Sequence, residues 1–212
     1  MANNRADVVT KIHKALRRSL YTTGLAAGKT DFSDITEVEA LRAPFKEMVA
    51  MLRGHGHHED TVMIPMLQEH VPDAAHDNSE AHHEIDALID QMDAAFDNLA
   101  EPGITAGERA ERGATFFHAL NHFTGTYLLH MHMEETVTAP HMWANFTDDQ
   151  LGEMTGRIIG SMTPEETMMN MKYMLPAVNR NELEFMLGMI RANAPAEAYE
   201  AMAALANAQA VV

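Results

Sequence analysis

The sequence has no cysteine in its 212 residues. That absence excludes disulfides, thiolate metal sites and thiol nucleophiles together, so any metal must be held by histidine and carboxylate. Basic residues are scarce too: 15 Lys and Arg stand against 31 Asp and Glu, for a formal net charge of −16. A chain this acidic, with no long basic run, is not expected to bind nucleic acid or an anionic membrane surface. No stretch reaches the ~20 consecutive apolar residues of a membrane-spanning helix. The segment MANNRADVVTKIHKALRRSL carries charges throughout and lacks the apolar centre of a secretory signal, so a cytoplasmic protein is expected.

Strand signals are nearly missing as well, whereas apolar residues recur with helical spacing almost everywhere. The fold class read from this is all-α. A first helix over about residues 4–27 keeps Val9, His13, Leu16 and Leu20 on one face. A second, capped by Asp34, runs towards His70 with the seam Leu41, Phe45, Met48, Leu52, His55, Glu59, Val62 and Met66. Pro44 either kinks it or marks its true start. A third, over about 73–100, presents His82, Ile85, Ile89, Met92, Phe96 and Leu99. A fourth, over about 107–142, presents Phe116, Leu120, Phe123, Tyr127, His130, Glu134 and Val137. Four long amphipathic helices of this kind pack as an antiparallel four-helix bundle, here over residues 1–144. Residues 145–212 carry closely spaced start signals and read as a C-terminal appendage of short helices. The segment GLAAGKT resembles a phosphate loop, but three residues separate its glycines where four are required, and no strand precedes it.

What the chain has in excess is histidine, 13 residues, and methionine, 18. Two histidine-rich segments are near copies: HGHHEDTVMIP from His55 to Pro65 and HMHMEETVTAP from His130 to Pro140. Residues four apart on a helix share a face, so His55 with Glu59 and His130 with Glu134 each present an imidazole and a carboxylate to the same side. That side is the apolar seam. Burying an ion costs several kcal/mol, so something positive must meet the two carboxylates, and no Lys or Arg lies on any seam. The seams of the other two helices instead supply His13 and His82. Four imidazoles and two carboxylates facing one bundle interior form a dinuclear metal site, with Glu59 and Glu134 bridging and about two histidines on each ion. His13 and His55 are expected to serve one ion, and His82 and His130 the other. On the third helix the choice is between His82, which shares the phase of Ile85 and Ile89, and its neighbour His83. His57 and His132 point away from the seam, and His58, His70, His118, His122 and His141 read as surface or outer-layer residues.

With these residues in view, the sequence resembles the hemerythrin-like, or HHE cation-binding, family. The resemblance runs from His13 through Pro140: an early His, HxxxE followed by an acid and by Pro six residues after the Glu, an HHE segment at His82 to Glu84, and a second HxxxE. The later segment SMTPEETMMNMKYMLPAVNRNELEFMLGMIRANAP resembles the tail of many bacterial members. The family implies a non-haem di-iron centre, with two iron ions inside a four-helix bundle. Oxygen-carrying members have five His ligands and a final Asp, whereas Asn78 stands four before His82 here and the last carboxylate is Glu134. The match is to the branch with four His and two Glu.

The expected function is therefore binding, reduction or sensing of a small oxidant: O2, hydrogen peroxide or nitric oxide. The alternative is a non-enzymatic iron or redox sensor that signals to a protein partner through its Met-rich tail. Nothing in the sequence marks a pocket for an organic substrate. Tyr127, one turn before His130, either packs there or donates a hydrogen bond to a bound oxygen species. Half of the methionines lie beyond residue 145, as adaptable core filling or as a partner- or copper-handling face.

Overall fold

The structure, a computed structural model, describes residues 5–209, with side chains to residue 207. Its long helices are α1 (Thr10–Lys29), α2 (Ile35–His58), α4 (Pro72–Asp97) and α5 (Ala106–Met133). The short α3 (Ile64–His70) and α6 (Ala139–Asn145) continue α2 and α5 beyond a π turn. α1 packs on α2, α2 on α4, α4 on α5 and α5 back on α1, which closes an antiparallel four-helix bundle; no strand occurs among the described residues.

Asp34 caps α2 by accepting from the Thr36 amide at 2.7 Å, and Pro44 lies inside that helix rather than opening it. Glu37 does not complete a capping box with Asp34; it accepts instead from the Asp31 amide. α5 opens with a full capping box between Thr105 and Glu108. The first helix begins at Thr10, several residues later than its periodicity predicts. Arg5 is drawn elsewhere, donating to the carbonyls of Trp143 and Phe146 at the end of α6 and to Asp148. Cationic donors at a helix C-terminus satisfy its otherwise unpaired carbonyls, and here that tertiary contact prevails over helix extension.

One end of the bundle is closed by aromatic rings. Phe45 and Phe96 stack at 4.4 Å, and Phe116 meets both edge-on at 5.2 Å. Phe32 adds a further edge contact to Phe116 because Gly113 on α5 leaves room for it. A Cβ at Gly113 would collide with Cβ and Cγ of Phe32, the rigid root of that side chain. Gly113→Ala is thus expected to destabilise the protein by about 1–3 kcal/mol despite alanine's better helix propensity, as a lowered thermal midpoint would show.

Beyond the bundle come α7 (Asp148–Ser161), α8 (Pro164–Met174), α9 (Arg180–Asn193) and α10 (Ala196–Gln209). Leu151 and Met154 of α7 are buried with Val9, Met63, Leu67 and Met142 below the bundle's other end. α8 lies along α1 and α2, with Tyr173 and Lys172 both bonded to Glu47. α9 and α10 enclose a smaller cluster of Leu175, Met186 and Met202, and Lys14 of α1 reaches Glu182 at 2.7 Å. Methionine fills these contacts unevenly: Met154 is fully buried, while Met168 and Met189 are exposed. No described helix is long and apolar enough to cross a membrane.

Candidate metal centre

The repeat fixes local backbone as well as side chains. In each copy the Glu opens a five-residue π turn, Glu59–Met63 and Glu134–Thr138. The Ile64 amide bonds the Glu59 carbonyl and the Ala139 amide bonds the Glu134 carbonyl, each spanning five residues instead of four. Pro65 and Pro140 come immediately after. Proline has no N–H and its ring clashes with the carbonyl four residues back, and a widened turn just before it relieves that crowding, whereas Pro44 is accommodated within α2 without one. Each extra residue rotates the downstream helix by about 100°. Val62 keeps its place in the core, but beyond it, and directly after Glu134, the sequence seam is displaced. Leu67 is buried where Met66 was expected to be, and Thr138 is buried while Val137 is 46% exposed.

Upstream of the π turns the seams hold. His13, His55, Glu59, His82, His130 and Glu134 are all buried, and the atoms they could offer to a metal form two groups: His13, His55, Glu59 and Glu134, then Glu59, His82, His130 and Glu134. Both carboxylates belong to both groups. Nε2 of His13 and of His130 lie 3.2 Å from Glu134 oxygens. Nε2 of His55 and of His82 lie 3.3 Å from Glu59 Oε2, and His82 is 3.7 Å from Glu134. His83 is exposed, so the third long helix brings His82 into the cluster and leaves its neighbour outside. His57 and His132 are exposed as expected.

These short separations lack hydrogen-bond geometry. All four carboxylate oxygens, and Nε2 of His13, His55 and His82, are buried without a hydrogen-bond partner. Leaving so many buried polar atoms unsatisfied is costly, whereas donors that converge on common points suit cations placed between them. The residues thus fit a pair of metal ions: imidazole and carboxylate donors, no thiolate, and two oxygens available from each Glu to be shared.

The outer layer was not assigned from the sequence, although its signal was there in the acid next to Glu in both copies. The Nδ1–H of His82 donates to Asp60 at 2.7 Å, and the Nδ1–H of His13 donates to Glu135 at 2.9 Å. Arg17 holds Glu135 in turn, at 2.6 and 3.0 Å. A carboxylate on Nδ1 fixes the tautomer and leaves the Nε2 lone pair facing the cluster. Each repeat therefore supplies a seam carboxylate and, one residue on, an acid that orients the lone histidine of another helix. His130 has no equivalent, its Nδ1 being buried without a partner. Asn78, one turn before His82, donates to Ala74 O and to Thr138 Oγ1 of the second π turn. His58 is buried rather than superficial; its Nε2–H donates to Glu166 at 2.8 Å and its Nδ1 lies 3.2 Å from Ser161 Oγ.

The charges respond to this crowding. Burial alone would lower the pKa of His13, yet Glu134 and Glu135 outweigh it and push the value up to about 9. Burial likewise opposes protonation of His82, but Glu134, Glu59 and Asp60 raise it to about 11. Glu59 is pushed up to about 7, by burial first and then by the charge of Glu134. Burial would also raise Glu134, but His13, His130 and His82 hold it well below the usual carboxylate range. His55 is lowered well below its ordinary value by burial and by the neighbouring imidazoles. In the outer layer, burial of Glu135 is overcome by His13 and Arg17, which bring it down to about 2. Metal-free, the cluster would offset its carboxylates by holding protons on His13 and His82.

Four helices gathering imidazoles and carboxylates about two shared points define a helical-bundle metal-binding protein. Comparison gives the family: the sequence profile of the Hemerythrin HHE cation binding domain matches residues 4–156, and the chain belongs to that family. No curated protein matches the chain.

Proposed function

We propose that the protein is a non-haem di-iron protein that binds, reduces or senses a small oxidant: O2, hydrogen peroxide or nitric oxide. The observation that carries this reading is the convergence of unpartnered imidazole nitrogens and carboxylate oxygens in two groups that share Glu59 and Glu134. His13 and His55 would hold one iron, His82 and His130 the other, with the two carboxylates spanning both. Two iron ions supply reversible one-electron chemistry and open coordination positions for a small ligand.

This chain's own residues hold the donors, orient them and limit access. Asp60 and Glu135 keep the Nδ1 protons of His82 and His13 turned away from the centre. Beside His82 and His130 lies a cleft of about 10 Å³, lined also by Asp60 and Tyr127. That is room for no more than about one water-sized molecule, which suits a ligand of very few atoms over an organic substrate on that side. The Tyr127 ring packs on His130 with centroids 5.7 Å apart, and its buried hydroxyl keeps its proton because burial and the cluster's carboxylates raise its pKa. It therefore has a proton to donate towards anything bound in the cleft.

The test is the absorption spectrum of the anaerobic ferrous protein before and after exposure to air, peroxide and nitric oxide, with metal content by elemental analysis. A centre of this kind gives oxidant-dependent bands at two irons per chain; a spectrally silent metal in the same site would overturn the proposal. Asp60→Ala and Glu135→Ala are each expected to weaken metal affinity about 10–100-fold with helical content unchanged, as measured by chelator competition.

A second reading, a non-enzymatic iron or redox sensor, has its own supporting observation. His58, between His55 and Glu59, is bonded to Glu166 of α8 and approaches Ser161 of α7, so the metal-bearing helix touches the Met-rich tail. Peroxide turnover that is lost in Glu59→Ala favours the enzyme. Unchanged peroxide, together with a metal-dependent change in tail proteolysis, favours the sensor.

A further inference from the structure

Between the bundle and the C-terminal helices lies a cavity of about 620 Å³. Its walls are apolar and come from both parts of the chain, with Ile12 and Met51 on the bundle side and Met171, Met174, Met186 and Ile190 on the tail. Its rim exposes three large hydrophobic side chains, Ile159 at 57%, Phe185 at 63% and Met189 at 51%. Its inner lining includes His55 and Glu59, which are only 8% and 3% exposed, and the buried amide of Asn170. That amide reaches Met162 Sδ by a long hydrogen bond of 3.6 Å, a weak use of a buried donor. Nothing in the sequence marks this cavity, because the packing of the tail assembles it from residues far apart in the chain.

We propose that this cavity binds one uncharged, elongated apolar molecule of lipid size, with a hydroxyl or carbonyl end near Asn170 and the His55–Glu59 edge of the cluster. The volume falls within the range of small-molecule sites, which are concave and mostly apolar with a few placed polar groups. Methionine walls adapt to flexible chains, since the side chain is unbranched and its sulfur polarizable. Depth selects a small molecule over a protein: a docking helix can cover the rim but cannot send backbone down to His55 and Glu59. Three charged residues, Arg5, Asp7 and Lys11, also line the cavity, but they are paired within the protein, Arg5 with Asp148 at 2.6 Å and Lys11 with Asp7 at 3.5 Å. An uncharged chain suits such a lining, because a charged group placed against the apolar wall would lose its hydration without a partner. Only the placement of the polar end beside the cluster rests on the di-iron reading; the cavity itself does not.

The experiment is titration of the full-length protein, both metal-free and iron-loaded, with the neutral fluorophore N-phenyl-1-naphthylamine, and then displacement with a long-chain fatty alcohol. Saturable binding of one probe per chain in both forms, displaced by the alcohol, is expected. Met171→Trp, which fills the wall, is expected to weaken binding about tenfold or more with helical content and melting temperature retained. If that variant does not fold, Phe185→Glu at the exposed rim serves instead and is expected to weaken binding too. The proposal is overturned if neither metal form binds the probe saturably, or if the folded variants bind like wild type. It is also overturned if Phe185→Glu converts a dimer to a monomer without altering probe binding, which would make the rim a contact between copies of this chain. Probe binding that persists in a protein lacking iron bands would refute the di-iron reading and leave this one intact.

Discussion

Replacing Glu134 with alanine is expected to give a folded protein that no longer retains metal. Glu134 is fully buried, neither of its oxygens has a hydrogen-bond partner, and it belongs to both groups of candidate ligands. Its loss removes one donor from each ion at once. The effect on affinity should therefore exceed the roughly 10–100-fold expected of an outer-layer acid such as Asp60. Metal content is expected to fall from two ions per chain towards none, and oxidant-dependent absorption to disappear. Stability provides an independent readout. A ligand present at about a hundredfold excess over its Kd adds about 2.7 kcal/mol. For a chain of this size that corresponds to about 5–10 °C in melting temperature. A chelator should lower the midpoint of the wild type by about that much and leave Glu134→Ala unmoved. Glu134→Gln, which keeps the volume and removes the charge, separates loss of the ligand from loss of packing. Two retained ions and an unchanged chelator shift in either variant would show that Glu134 is not shared between them.

Loading with metal is expected to release protons and to strengthen steeply with pH. In the metal-free protein, His13 and His82 are raised to about 9 and about 11, so both carry protons at pH 7. Glu59 is also raised, by burial and by the charge of Glu134, so it holds its proton more tightly than an ordinary carboxyl. His55 is already neutral there and Glu134 already charged, their values being lowered. A ligating imidazole must be neutral and a ligating carboxylate ionised, so about two protons, those of His13 and His82, must leave at pH 7 as the centre fills. Raised values mean that protons compete with the cations, so acid favours the empty protonated cluster and alkali the filled one. Affinity is expected to fall by about two orders of magnitude or more for each unit of pH below 7, and the metal-derived rise in melting temperature to vanish with it. Proton release measured in weakly buffered solution during loading checks the count. A flat affinity between pH 5 and 7 would mean that these histidines are not ligands.

The candidate outer layer was half legible in the sequence, for a physical reason. Asp60 and Glu135 stand next to the seam carboxylates in both copies of the repeat, but an acid one residue off a seam looks like part of a solvated helix face. Their partners, His82 and His13, lie on other helices, and only packing brings them to 2.7 and 2.9 Å. Within the third long helix the choice was decidable by phase, since His82 shares the face of Ile85 and Ile89 and His83 does not. The seams failed only at Met66 and Val137, where counting at 3.6 residues per turn cannot register the extra residue of each π turn.

By itself the sequence determined four helices, their inward faces and six polar residues on those faces. Helical periodicity is a local property, and a carboxylate on an apolar stripe stands out wherever it occurs. Tertiary structure decided the rest: the start of the first helix, drawn back by the anchoring of Arg5; the crossing of acids from one helix to the histidine of another; and the apolar cavity between tail and bundle. Each of these depends on distances between residues many positions apart, and such distances exist only once the helices have packed.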